Sequence, residues 1–164
     1  MSSTLTAGDA GTTSAQHQYL TFLLASEEYG LEILKVQEIR GYTAVTPIPH
    51  APPHIKGVMN QRGAVVPVVD LRARFGMPAT EYGKFTVIIV VRLGDRVAGL
   101  VVDAVSDVLQ VAASEIEAPP DLGVGVDTHY MTGLAKVGDR LVLLLDILEV
   151  IGAEAGSLEA VAAA

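Results

Sequence analysis

Gly57-Val58-Met59-Asn60-Gln61-Arg62-Gly63-Ala64-Val65-Val66-Pro67-Val68-Val69-Asp70-Leu71 opens on a glycine, passes a polar turn, and closes a strand-length apolar run on an Asp-Leu pair. Phe75-Gly76 follows a few positions on. The same figure returns 76 positions later: Gly133-Leu134, the run Leu141 to Leu145, Asp146-Ile147, then Ile151-Gly152. In both places the Asp suits the cap of one short helical turn, the apolar residues at its next and fifth positions share a face, and the Gly terminates it. Upstream the correspondence continues with an offset of 69, pairing Gly30-Leu31 with Gly99-Leu100, Val36 with Val105, Glu38 with Asp107 and Ile39 with Val108. The change of offset requires about seven extra residues in the second repeat, between Val108 and Gly133. The region around Pro119, Pro120 and Gly123 is the natural place for them. The sustained register predicts two copies of one small barrel related by pseudo-symmetry.

The rest of the chain supports an all-β reading. Tyr19 to Leu24 is apolar apart from Thr21, Glu27-Glu28-Tyr29-Gly30 punctuates, and Leu31 to Leu34 resumes. The block Thr46 to Pro53 carries four of the eight prolines and reads as an extended loop. Pro67 removes a ladder donor from the Ala64–Leu71 run, so that strand is expected at an edge or with a bulge. Phe85 to Val91, Val97 to Val102 and Leu141 to Leu145 are further strand-length runs, and many short strands with little helix argue for barrels. Residues 1–16, rich in Ser, Thr, Gly and Ala, read as a disordered tail. The domain proper is expected over 17–152. Residues 153–164 form a second tail of helix-forming composition, marginal as a helix unless Leu158 and Val161 dock on something.

Half of the 164 residues are hydrophobic and 18% are charged, enough for a buried core. A net charge of −8 without a basic stripe disfavours nucleic acid and anionic membrane surfaces. The absence of cysteine excludes disulfides, thiolate metal sites and cysteine nucleophiles. No signal peptide is readable and no apolar run is long enough to span a bilayer, so a soluble cytosolic protein is expected.

Catalytic chemistry is hard to place on this sequence. His50 and His54 have the spacing of a helical metal pair, but Pro52 and Pro53 between them forbid a regular helix, and solvated loop histidines are the better reading. No nucleophile elbow, phosphate loop or dinucleotide fingerprint is present. Asp70 and Asp146 occupy equivalent places closing a strand, which favours two caps over an acid–base pair, and Asp103 and Asp107 fit a strand-to-turn corner. No catalytic residue, metal site or cofactor is therefore expected. Arg62, in a polar turn before Gly63, is either a solvated turn residue or a presented contact. Glu38 among Val36, Ile39 and Tyr42, and Val108-Leu109 after Asp107 where a loop should be polar, leave apolar residues near a barrel rim that a second lobe or a partner must cover.

Four blocks then carry a resemblance. Glu28-Tyr29-Gly30-Leu31-Glu32-Ile33-Leu34-Lys35-Val36-Gln37-Glu38-Ile39 and Ile55 to Gly63 running on to Pro67-Val68-Val69-Asp70-Leu71 are the first two. Gly99 to Asp103 with Val105 to Leu109, and Tyr130-Met131-Thr132-Gly133-Leu134, complete the set. In this order and spacing, over roughly residues 17 to 152, the chain resembles the CheW family of chemotaxis coupling proteins. The resemblance implies two SH3-like, five-stranded barrel lobes on a shared apolar core, with short helical turns. It implies a non-catalytic adaptor in the cytoplasm, associated with membrane receptor arrays. Its implied partners are the cytoplasmic tip of methyl-accepting chemoreceptors, the regulatory domain of the chemotaxis histidine kinase, and other coupling-protein copies in rings. A chemotaxis-like array controlling pili or surface behaviour is the alternative pathway.

By the same resemblance, Val36, Glu38, Ile39, Gly57, Arg62, Val87, Ser106 and Val108 form the receptor groove. A helical hairpin would lay its apolar stripe on the valines and Ile39. Gly57 would allow a close backbone approach, and Arg62 and Glu38 would pair with each other or with polar receptor groups. The kinase would meet Tyr42, Ala44, Val45 and Thr46 at one edge, and Glu117, Asp121 and Leu122 at the opposite one. Some family members carry a basic residue and a larger aromatic in that second loop. The acidic loop here asks for a partner of complementary charge if a ring is to close.

Overall fold

The computed structural model describes residues 16–43, 45–118 and 130–151. The expected tails beyond this span, the segment around Pro119 and Gly123, Gly152, and the candidate residues Ala44, Asp121 and Leu122 lie outside the described residues. The strands are β1 (Gln16–Leu24), β2 (Glu27–Glu32), β3 (Val36–Gly41), β4 (Ile55–Gln61), β5 (Ala64–Asp70), β6 (Val87–Leu93), β7 (Arg96–Val102), β8 (Ala104–Ala112), β9 (Ile116–Glu117), β10 (Met131–Val137) and β11 (Arg140–Leu145). One helical turn, α1 (Leu71–Arg74), follows β5, and residues 147–151 form its counterpart after β11.

Five strands make one sheet in the order β3-β6-β7-β5-β4, and six make the other in the order β8-β1-β2-β11-β10-β9. Under the sequence offsets β3 corresponds to β8, β6 to β1, β7 to β2, β5 to β11 and β4 to β10. The two orders are then identical strand for strand, with the two-residue β9 added at one edge. Even the parallel pairings agree: Val68 lies opposite Gly99, and Leu144 opposite Gly30. The two expected five-stranded lobes are thus present, but neither sequence repeat builds one alone. The β1–β2 hairpin of the first repeat joins the strands of the second, and β6–β7 joins the strands of the first.

The packing explains the exchange. Leu20, Phe22, Leu24 and Leu31 of the first hairpin and Ile89, Val91, Leu100 and Val102 of the second belong to one buried cluster. The capping turns add Leu71, Ile147 and Ile151 to it. Full burial of such a side chain contributes about 1.5–3 kcal/mol, so separating the sheets would forfeit the largest favourable contribution in the fold. Each sheet also has its own smaller core. One is built on Met59, Val66, Val68, Ile88, Val90 and Val101, the other on Tyr19, Val111, Ala135, Val142 and Leu144.

Local irregularities repeat as faithfully as the strands. Gln37 and Ser106, at equivalent positions, are the extra residues of bulges in β3 and β8. Lys56 and Thr132 play the same part in β4 and β10. Asp70 accepts from the N–H groups of Arg72 (2.9 Å) and Ala73 (3.4 Å), and Asp146 from those of Leu148 (3.0 Å) and Glu149 (3.4 Å). Both carboxylates are therefore helix caps, as their positions suggest. A Cβ on Gly57 would stand 2.0 Å from the carbonyl oxygen of Thr46, and one on Gly133 would stand 2.7 Å from that of Glu117. In each lobe a glycine thus lets a short edge segment close over the barrel.

Several local expectations change. Pro67 lies in an interior strand, yet β7 pairs only with Val68 to Asp70. Val58, its partner on β4, exchanges both backbone hydrogen bonds with Thr46. Pro67 therefore occupies a non-hydrogen-bonded pair, with its missing donor turned to the side where pairing with β7 has not begun. Leu34 is not in a strand: β2 stops at Glu32, and Ile33–Lys35 form a 3-10 turn. Phe85 stands exposed in the turn before β6. Val108 and Leu109 lie within β8 rather than in a loop, which accounts for their apolar character. His54 is half-buried with its Nε2 3.0 Å from Arg74 Nη1, so only His50 is an exposed loop histidine of the pair.

Two ion pairs tie strand ends together. Arg72 grips Asp103 with two hydrogen bonds, Nε to Oδ1 at 2.9 Å and Nη2 to Oδ2 at 2.7 Å. Arg140 binds both carboxylate oxygens of Glu28 and reaches Asp107 at 3.3 Å. The Arg72 hydrogen bonds hold the Asp103 carboxyl below its usual range, and those of Arg140 do the same for Glu28.

Two outcomes follow. Gly57 has φ +147° and no room for a Cβ, whereas Gly63 has φ +87° and open space. Gly57→Ala should cost about 2–4 kcal/mol in urea unfolding and Gly63→Ala about 1–2 kcal/mol; equal midpoints would remove the steric role given to Gly57. Because the folded pKa values of Asp103 and Glu28 are depressed, the stability these pairs contribute is fully present above the ordinary carboxylate range, about pH 4–4.5, and is lost as pH falls through the lower folded values. Urea midpoints of an Asp103→Asn/Glu28→Gln variant should fall less steeply below about pH 4.5 than those of the parent; parallel curves would mean that the pairs contribute nothing.

Candidate partner-binding surface

β3 is an edge strand, hydrogen-bonded only to β6 within its sheet. Strand alternation sends Glu38 and Arg40 to one side and Ile39 to the other. On β4 the inward positions are Ile55, Gly57, Met59 and Gln61, so the last inward place holds a polar side chain. Gln61 is buried and satisfied by two charged neighbours. Its Nε2 donates to Glu38 Oε1 at 2.8 Å, and its Oε1 accepts from Arg40 Nη1 at 2.6 Å. Arg62 sits in the following turn at φ 55° and donates from Nη2 to the same Glu38 oxygen at 3.0 Å. Its side chain is 78% exposed, so a fixed guanidinium stands at the rim with most of its surface in solvent.

The duplication shows that the fold does not require this network. The counterparts of Arg40, Gln61, Glu38 and Arg62 in the other lobe are Leu109, Val137, Asp107 and Gly138. Leu109 and Val137 pack on that lobe's apolar core. Inside, one barrel mouth is thus closed by aliphatic side chains and the other by a buried amide between an acid and two arginines, while at the rim Asp107 still pairs with Arg140 as Glu38 does with Arg62. A period-two reading of β4 could have found Gln61 as a polar residue at an inward position. Arg40 carries no comparable signal.

Apolar surface adjoins the network. Ile39 lies opposite Ile89, a member of the shared core, and is 42% exposed. Its counterpart Val108 lies opposite Leu20, also of that core, and is 51% exposed. Val36 and Val87 are half-buried against the same cluster. The shared core therefore reaches solvent along both edge strands, β3 and β8. Of the remaining candidates, Ser106 is the exposed bulge residue of β8, while Gly57 is buried beneath Thr46 and Pro47.

The second set of candidates divides differently. Tyr42 packs against Tyr82 with ring centroids 4.4 Å apart, and with Val45 it covers the core of its own lobe. Thr46 forms an isolated bridge with Val58, and Glu117 pairs with Leu134. Val58 and Leu134 are equivalent residues, so Thr46 and Glu117 mark matching edges of the two lobes. Glu117 also pairs with Lys136 at 3.1 Å, both side chains being largely exposed. Among the described residues no group of three or more His, Asp or Glu side chains is placed to hold a metal. The Tyr82 hydroxyl, its pKa raised chiefly by burial, donates to the capping carboxylate Asp70. Exposed apolar residues on both edge strands, with paired charges at the rims, suit recognition of another protein.

Comparison with known proteins agrees with this architecture. Residues 18–155 match the model of the CheW-like domain. The chain is 48% identical over 145 residues to the chemotaxis protein CheW of Klebsiella aerogenes, covering 88% of this chain and 87% of that one. It is 39% identical over 142 residues to that of Rhizobium meliloti, covering 87% and 92%. The crystal structure of the scaffolding protein TtCheW from Thermoanaerobacter tengcongensis superposes with a TM-score of 0.76 at 35% identity, covering 83% of this chain and 88% of that one. With two exchanged-hairpin lobes, matched glycine contacts and a domain match over most of its length, the chain belongs to the CheW family.

Proposed function

We propose that this chain is a non-catalytic coupling adaptor of a chemotaxis array, joining chemoreceptors to the regulatory domain of a histidine kinase in the cytoplasm. The observation that carries the reading is the Arg40–Gln61–Glu38 network, built on a buried amide, that Arg62 joins at the rim: the twin lobe keeps an arginine–carboxylate pair there, Arg140–Asp107, but has aliphatic Leu109 and Val137 in place of Arg40 and Gln61. Stability does not explain its exposed arm, since a pair such as Arg62–Glu38 is worth only about 0.2–1 kcal/mol. A fixed cation beside Val36, Ile39 and Val87, with Ser106 and Val108 on the equivalent edge, suits the apolar stripe and polar flanks of a helical hairpin. Such a charge sets register and orientation more than affinity. The kinase domain would meet the matching lobe edges marked by Tyr42 to Thr46 and by Glu117 with Asp121 and Leu122. Coupling then requires only that these contacts differ between the signalling states of the receptor.

Arg62→Ala tests the reading. Its circular dichroism and urea midpoint should stay within about 0.5 kcal/mol of the parent, while association with receptor cytoplasmic fragments weakens about two- to fivefold. Receptor-dependent kinase activation in a reconstituted mixture should fall with it. Unchanged activation by a folded variant would remove Arg62 from the interface, and an unfolded variant would make it a structural residue.

A further inference from the structure

Between α1 and β6 the chain crosses residues 75–86 without strand or helix, and one side chain in that crossing is unlike its neighbours. Residues 78–81 and 83–85 are exposed, while Tyr82 between them is half-buried and packs on the core of its lobe with Tyr42 and Val45. Both ends of the crossing are secured. The Met77 N–H donates to Arg72 O at 2.7 Å, and Pro78 O accepts from Arg72 Nη1 at 3.0 Å. At the far end Thr86 O accepts from the Tyr42 N–H at 3.2 Å.

Three neighbours hold the Tyr82 ring. Its hydroxyl donates to Asp70 Oδ2 at 2.5 Å, the carboxylate oxygen left over when Oδ1 caps α1. Lys56 Nζ stands 5.1 Å from the ring centroid, where the negative face of the ring attracts it. The third neighbour is the Tyr42 ring, tilted by 57° with its centroid 4.4 Å away. Lys56 lies on β4 and Asp70 ends β5, so the phenol is tied to the sheet and Tyr42 leans on a fixed support. Tyr42 is the first residue after β3. Thr46, four positions on, is exposed and exchanges backbone hydrogen bonds with Val58. Thr43 is exposed, so Tyr42 and Val45 are the described anchors of the stretch that leads to Thr46.

We infer that Tyr82 is a positioning residue for the edge formed by Tyr42, Val45 and Thr46: its ring, anchored by Asp70 and Lys56, holds Tyr42 and thereby sets the course of the chain into Thr46. The inference rests on the function proposed above, in which the histidine kinase meets that edge. Tyr82 acts through Tyr42 and makes no contact with the partner itself.

The test compares the parent chain with Tyr82→Phe, Tyr82→Leu, Tyr42→Leu and the double leucine variant, titrating each with the kinase and, separately, with receptor cytoplasmic fragments. Tyr82→Leu should weaken kinase binding about fivefold, because the edge is no longer preorganised, and leave receptor binding unchanged. Tyr82→Phe keeps the ring but loses its Asp70 anchor, and should lie between parent and Tyr82→Leu. In the Tyr42→Leu background Tyr82→Leu should have little further effect, since the ring it acts through is already gone. Parental kinase binding by folded Tyr82→Leu, or additive effects of the two leucines, would overturn the inference and leave the proposed function standing. Equal weakening toward kinase and receptor would make Tyr82 a residue of general stability and overturn it too. A parent chain that does not bind the kinase would overturn the proposed function, and the inference with it. Should Tyr82→Leu not fold, Tyr82→Phe decides by hydrogen exchange: the Tyr42 and Thr46 amides should exchange about threefold faster than in the parent, with Leu100 unchanged, and unaltered protection at 42 and 46 would overturn the inference.

Discussion

The apolar layer between the two sheets is the constraint on which the other features depend. Each hairpin, β1–β2 and β6–β7, pairs with strands of the opposite repeat and turns its inner face to that layer. Phe22, Leu31, Ile89 and Leu100 are completely buried there. Neither repeat can satisfy its own sheet, since each lacks the hairpin its partner supplies. The two lobes are therefore coupled through both covalent order and packing, and a partner that binds at the rim acts on one body. The edge strands inherit their positions from this arrangement. β3 and β8 are equivalent strands, bulged at equivalent residues, and they bring Ile39 and Val108 to the margins of the same core.

Pseudo-symmetry then works as an internal control. Where the repeats agree, the requirement is one of folding. Gly57 and Gly133 accept a carbonyl at close range, Asp70 and Asp146 cap a turn, and Gly30 and Gly99 make room where parallel strands meet bulky neighbours. Val65 and Leu141 are equivalent and equally exposed, at 51% and 50%, so neither is a special feature of one lobe. Where the repeats differ, folding alone does not dictate the choice. The Gln61 network of one barrel mouth is such a place.

Much of this was legible in the sequence because the repeat register is a property of residue order. The offsets of 76 and 69, the two capping aspartates and the all-β character follow from pattern, and the four motif blocks identify the family. The hairpin exchange is not legible: an offset states which residues correspond and says nothing about which sheet they enter. Leu34 reads as a strand residue because the run Leu31 to Leu34 is nearly continuous, and only the 3-10 turn after Glu32 exposes it. The candidate groove shows the same division. Glu38 and Arg62, 24 positions apart, are brought into contact, whereas Gly57 serves the closure of its own barrel. His54 reads as a solvated loop residue because proline spacing forbids a helix yet cannot report that Arg74 lies beside the ring.

The Gln61 network also shows why a pair weak in energy can be strong in information. Arg62 alone would sample many orientations at a hairpin tip, and a solvated guanidinium in a chain of net charge −8 would attract little that is specific. Glu38 changes this because it is itself held. One of its oxygens accepts from Gln61, and that buried amide is oriented by Arg40 from the other side. The chain of hydrogen bonds runs from the barrel interior to the rim, so the position of the exposed charge is set by packed residues rather than by solvent. A ligand meeting that edge encounters a cation tethered to β3 through Glu38. Mismatched polar groups would leave the guanidinium or their own donors unpaired, a larger penalty than the modest gain of a correct pair. Discrimination among similar partners can in general come from a side chain whose removal scarcely alters the stability of the protein that carries it.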